Sequence, residues 1–345
     1  MERLMERLMD KLIQTAVILV CLLASFQVAA DQPVGLEGTL IVLNKSGHDA
    51  SFIDLGSGEI IATVPTGRGP HELVVTDDGR WAIGTDYAGG NSLTVFDVEN
   101  LQVERTIDFS DYPRPHGILF LPGQEEVIVT SEASNSLVVV NFRSGEILRV
   151  IDTTQNGSHM VAVSKDGRVA YTSNGNSNSV SVIDIAQGRT TKVIDVPNRP
   201  EAITTNKSGS EIWVGSNDEE VVTVISADDE SVLRQWSGFN WPYRILLTDD
   251  EQYAVMPDLG NEVLRFFDVP KGTELGVMNL AQASPQGVSW YSDDRTLFLS
   301  LSGRDQVLVV DVESREVLGE YSTGDAPDGI AYSPLVLRKT INYQR

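Results

Sequence analysis

The chain has 345 residues, 41% of them hydrophobic and 22% charged, which is enough apolar material for a packed core and excludes the disordered class. Its formal net charge of -23 argues against nucleic acid or an anionic membrane surface as partner, because such a surface repels phosphates. The single cysteine, Cys21, excludes a disulfide framework and a cysteine-based metal cluster.

Residues 1–30 read as a signal peptide. The apolar run from Ile13 to Val28 is too short for a stable membrane span and is followed by Ala29-Ala30, so cleavage is expected after Ala30. An uncleaved anchor is the other reading. The segment ahead of the run balances acids with bases, and a start at Met9 would leave a more ordinary signal. The expectation is export to a periplasm or the exterior, with no stable span left after signal removal, and a single domain over residues 31–345.

One pattern then repeats: a Pro or Gly turn, a short apolar strand, an Asp/Gly turn, a second strand ending in small polar residues, a third ending in Asp, and a fourth. His159 to Val196 is the clearest copy. Copies lie near 39–64, 70–108, 115–152, 158–196, 200–236, 242–279 and 285–321, with a fragment at 327–334. The residues after the opening turns are His71, His116, His159, Glu201, Tyr243, Gln286 and Asp328, spaced by 45, 43, 42, 42, 43 and 42. Strands of five or six residues at this period, with no helical periodicity, predict an all-β fold. The first copy lacks a first strand and the last fragment is only a first strand. The two complete one blade, which predicts a seven-bladed β-propeller closed by pairing the N-terminal strands with a C-terminal one.

Tyr171 to Asn174, YTSN, and Ser181 to Ile185, SVIDI, carry a resemblance. They resemble the repeat of the YVTN propeller family, which includes surface-layer, YncE-like and lactonase-like members. The likeness spans the whole chain after residue 30 and implies the fold more than any activity. WD40 repeats share the Asp ending the third strand, here Asp54, Asp97, Asp184, Asp268 and Asp311, but lack of the accompanying Trp sets this chain apart. Ser226 stands in place of that Asp in one copy.

The seven residues after the turns should ring one mouth of the central channel in the order Asp328, His71, His116, His159, Glu201, Tyr243, Gln286. Three adjacent histidines flanked by acids suit a divalent transition metal, so His71, His116, His159 and Glu201 are the expected ligands. Glu201 and Asp328 are the candidate bases if the ion polarises a carbonyl or activates water. The alternative is structural or pH-responsive histidines, bonded to loops carrying Asp86, Glu132 and Asn174. His48, beside Asp49, is expected to be merely solvated. Arg68, Arg114 and Arg199 in the turns before the ring favour an anionic small molecule. Trp241, with Tyr112 and Phe239, is expected to form an apolar wall, and Tyr243 and Gln286 complete the ligand site.

No Walker loop, GxSxG elbow or CxxCH haem site is present. The reading that follows is an exported propeller binding a metal ion, a small anionic ligand, or both, at its channel mouth. A metal-dependent lyase or lactone hydrolase, implied by the lactonase-like resemblance, is one alternative. Metal storage or delivery is another, and a metal-free scaffold for a protein partner is a third.

Overall fold

The computed structural model describes residues 35–337; the expected signal peptide and cleavage site lie outside the described residues. Among the described residues, 28 strands form seven four-stranded antiparallel sheets and no helix occurs. No helix in this region is long and apolar enough to cross a membrane. Each sheet is one blade of a propeller. Blades 2 to 5 span 70–108, 115–152, 158–195 and 200–237, blade 6 spans 246–279, and blade 7 spans 285–322. Blade 1 is composite: strand Pro327–Ser333 pairs with Thr39–Asn44, matching Ile330 to Val42 and Tyr332 to Leu40. The ring therefore closes as the repeat predicts.

Burial follows strand position. Middle strands are covered on both faces and read as apolar runs, as in Thr39–Asn44 and Ser136–Asn141. Outermost strands alternate exposed and covered residues, as in Gln102–Asp108. The core lies between blades. Between blades 2 and 3, Ile83, Val95 and Phe109 meet Val127, Val138 and Phe142. Phe142 sits 5.8 Å from Phe120 and 6.3 Å from Trp81 by ring centroids. Each fully buried side chain of this size contributes about 1.5–3 kcal/mol of burial free energy.

The repeated Asp at the end of the third strand is a turn residue. Side-chain oxygens of Asp97, Asp184 and Asp311 accept backbone N–H groups three residues on, at 3.2, 2.7 and 2.7 Å. Asn141 does the same for Ser144 at 2.9 Å, and Ser226 for Asp229 at 3.4 Å, so two blades depart from Asp without losing the turn.

Innermost strands of neighbouring blades approach closely where glycine follows the ring residue. A Cβ on Gly329 would collide with the His71 carbonyl, and one on Gly287 with the Asp328 carbonyl. Blade 6 is irregular. Its inner strand is only Leu246–Leu247, with an isolated bridge from Pro242 to Asp258. The sequence predicts a full inner strand there. Pro242 holds the place of Pro70, Pro115, Pro200 and Pro285, which open full inner strands. Blade 6 differs in its second strand, where Pro257 stands in the place of Thr85, Thr130, Ser173 and Ser300. The Tyr243 N–H bonds the Pro257 carbonyl at 2.9 Å, and Asp258 captures the backbone N–H groups of Asn240 and Trp241, each at 3.0 Å.

Candidate functional site

The ring forms as the spacing predicts. Its backbone is set by hydroxyls on the second strands. Thr130 accepts the Gly117 N–H (2.9 Å) and donates to the His159 carbonyl of the next blade (2.6 Å). Ser173 relates Met160 to Glu201 in the same way, and Ser300 relates Gly287 to Asp328. Small polar residues of the repeat thus fix His159, Glu201 and Asp328 from the blade before each.

Above the ring lies a cavity of about 470 Å³. His71, His159, Glu201, Tyr243 and Gln286 line it, as do Arg114, Arg199 and Trp241. Arg68 is exposed and does not contribute to these walls. Tyr112 and Phe239 turn instead into inter-blade cores, so of the three expected wall aromatics only Trp241 faces the cavity. His116 and Asp328 are wholly buried beneath its floor. A second cavity of about 300 Å³ lies further along the channel, bordered by apolar inner-strand residues with Glu72 and Arg244. Consecutive pairs, His71-Glu72 and Tyr243-Arg244, straddle the plug between the two.

The three histidines differ. His159, 18% exposed, has Nδ1 3.5 Å from Glu132 and Nε2 3.6 Å from Glu201. Burial alone would depress its pKa, but the two carboxylates outweigh that and push it up to about 9. It is an imidazolium at neutral pH. Burial also raises Glu132, yet His159, Tyr87 and Arg114 pull it down to about 2. Glu201 is lowered against burial by His159, by Trp241 Nε1 at 3.0 Å and by Asn217 Nδ2 at 2.6 Å. Tyr87 donates to Glu132 at 2.6 Å, and burial together with that carboxylate pushes its own pKa up to about 12.

His71 is neutral. Burial pushes it down to about 4 against the pull of Asp328, whose carboxylate faces its Nδ1. Tyr87 stacks on its ring at 5.1 Å. Asp328 is raised by burial but held well below the usual carboxylate range by His71, Lys45 (2.5 Å) and Arg244. Tyr243 donates to it at 3.3 Å, and Gln286, with its amide nitrogen turned inward, donates at 3.0 Å. His116 is fully enclosed. Burial, then its histidine neighbours, hold its pKa well below the usual value, and neither ring nitrogen has a hydrogen-bond partner. Its ring centroid lies 4.3 Å from His71 and 3.7 Å from His159.

Ligand atoms of His71, Glu72 and His116 lie within 4.8 Å of one another, a group that can hold a metal ion. His159 and Glu201 belong to the clamp described above instead. Arg244 pairs with Glu72 from across the channel, and burial lowers its pKa to about 10, so it remains a cation. Of the three loop residues considered as histidine partners, only Glu132 serves, and it holds the histidine of the next blade. Asp86 is bonded to Ser92 and Thr94, and Asn174 to Ser158 and Ser181. His48 is not merely solvated: its Nδ1 accepts the Gly69 N–H at 3.0 Å, joining blades 1 and 2.

Sequence reasoning missed Lys45, Tyr87, Glu72 and Arg244 as site residues. The first two, with Glu132, Gly175, Asn217, Leu259 and Ser302, each follow the second strand of a blade. Counting that offset finds a second ring above the first. Glu72 and Arg244 follow ring residues directly, on the opposite side of the strand.

A family model described as "Cytochrome D1 heme domain" matches residues 40–241, which is more than half of the chain and includes all three ring histidines. That is a different family from the YVTN one the repeat resembles. A crystal structure titled as a functionally unknown protein from Desulfotomaculum acetoxidans DSM 771 is similar in fold, with TM-score 0.73 and 15% identity over 86% of this chain and 99% of that one. No curated protein matches the chain.

Proposed function

We infer that this chain, which belongs to the cytochrome D1 heme domain family, is an exported binding propeller that takes a small anionic molecule at its channel mouth. The observation that carries this is local charge. On a protein of net charge -23, the mouth gathers four cations, Lys45, Arg114, Arg199 and the His159 imidazolium, around one cavity against the two carboxylates that line it, Glu132 and Glu201. Arg199 is the least committed of these: its contact to Asp218 is 3.8 Å, it stands over the Trp241 ring, and its head is over half exposed. A carboxylate or phosphate meeting a guanidinium and an imidazolium gains charge-assisted hydrogen bonds. Glu201 and Asp328 are held ionised by their partners, which makes them poor proton acceptors near neutral pH, so binding rather than turnover is the reading we favour.

The family description names haem. An iron-bound imidazole presents one nitrogen to the face of a flat macrocycle, with clear space around it. His116 has the free nitrogens but is enclosed by two rings whose centroids are 3.7 and 4.3 Å away. His71 and His159 turn nitrogens to carboxylates. These residues do not fit a haem. A divalent transition metal among the histidines is the second reading, favoured by the unpartnered nitrogens of His116.

Calorimetric titration with inorganic phosphate and with small mono- and dicarboxylates tests the anion site. Binding that weakens tenfold or more in Arg199→Gln and falls as salt rises is expected. Binding unchanged by Arg199→Gln, or none to either class, overturns it.

A further inference from the structure

The plug beneath the mouth holds side chains that the anion site does not use. His116 is fully buried with both ring nitrogens unpartnered. Native proteins rarely leave such groups without a partner, because an unmet buried donor or acceptor is destabilising. Its neighbours are arranged around the same need. His71 turns Nδ1 to the Asp328 carboxylate, which leaves Nε2 as its remaining nitrogen. A carboxylate behind an imidazole is the usual support of a metal-ligating histidine, fixing its tautomer and ring orientation. One Glu72 oxygen, Oε1, receives Arg244, and Oε2 accepts no hydrogen bond among the described residues. Ligand atoms of His71, Glu72 and His116 lie within 4.8 Å of one another. An ion bonded at about 2.0–2.2 Å needs its ligand atoms roughly 3–4 Å apart, so small side-chain adjustments close the set.

We propose that His71, Glu72 and His116 form a mononuclear site for a divalent first-row transition metal inside the channel plug, that Asp328 and Arg244 position its ligands, and that His159 is not among them. This rests on the metal reading above and is independent of the anion site. Two imidazoles and one carboxylate suit iron(II), manganese(II), cobalt(II) or zinc(II), and leave coordination positions open. Cavities on both sides of the plug give an ion a route in: His71 borders the mouth and Glu72 the inner chamber. His159 is excluded by its surroundings, since Glu132 and Glu201 take up both of its nitrogens.

The test is titration of chelator-stripped full-length protein with cobalt(II), read by visible ligand-field absorption, with zinc(II) as competitor. One equivalent of cobalt(II) is expected. Glu72→Gln and His116→Asn should each weaken binding at least tenfold, and Asp328→Asn by about 10- to 100-fold. His159→Gln should not weaken binding, because it removes a cation whose ring centroid lies 3.7 Å from that of His116. Circular dichroism of each stripped variant establishes that it is folded. If His116→Asn does not fold, His71→Gln takes its place. Absence of stoichiometric cobalt(II) or zinc(II) overturns the metal reading itself. Stoichiometric metal that is lost in His159→Gln and kept in Glu72→Gln overturns this ligand set alone. Phosphate binding by the stripped protein, measured in parallel, reports on the mouth separately.

Discussion

The two ends of the histidine arc occupy equivalent positions in successive blades and have opposite chemistry. His71 and His116 are neutral, enclosed and close to Glu72; His159 is a cation held between two carboxylates. Nothing in the repeat distinguishes them. The difference comes from two neighbours: the residue that follows the second strand of the preceding blade, Tyr87 beside His116 and Glu132 beside His159, and the next residue of the ring, His159 beside His116 and Glu201 beside His159. A propeller thus writes its fold in what repeats and its chemistry in what does not. Identical imidazoles become neutral or cationic according to their neighbours.

The largest expected effect falls on the neutral end. Asp328→Asn removes the charge that faces both His71 and Lys45, and breaking a buried pair in this way costs about 3–5 kcal/mol. Urea unfolding at neutral pH measures it. A loss below about 1 kcal/mol would show that the neutral end is not held by this carboxylate.

His159→Gln acts on the charged end and is read by pH. The folded pKa of about 9 lies above the unfolded value of 6.5, so the stabilisation is complete below pH 6.5 and is lost as pH rises through 9. His71 has the opposite sign: its folded pKa of about 4 lies below 6.5, so its contribution is present above pH 6.5 and lost on acidification. Stability should therefore peak near pH 6.5. The His159→Gln variant should lose the alkaline decline, on the order of 2–3 kcal/mol, and keep the acid one. An unchanged alkaline limb would erase the contrast between the ends.

Smallest is Asp184→Ala, a control within the repeated architecture. Asp184 accepts the Gln187 N–H at 2.7 Å in a surface turn, and its loss should cost about 1 kcal/mol without changing the shape of the pH profile. A changed profile would mean that turn and site are not separable.

Most of the fold was legible because a period of 42 to 45 residues is a global constraint that single substitutions do not hide. It identified the blades, the closing strand and all seven ring positions. Blade 6 was misread because its opening Pro242 matches that of other blades, while the departures, Pro257 and the Asp258 carboxylate that holds Asn240 and Trp241, lie on the neighbouring strand and leave the apolar pattern intact. At the site, the sequence located the histidines but not their states. Glu132 is 27 residues from His159, and Arg244 is 172 from Glu72. These distances close only once the blades stand side by side. His48 was misjudged for the same reason, its acceptor role depending on the turn at Gly69 in the next blade.

Asp328 lies on the strand that completes blade 1, and so it is among the last parts of the site to leave the ribosome. Before it arrives, a nascent chain holds all three histidines with no anchor behind His71 and no counter-ion for Lys45. Occupancy of the channel is then a report of assembly. Any ligand that needs the finished centre binds only the shut ring and, by mass action, favours shutting it.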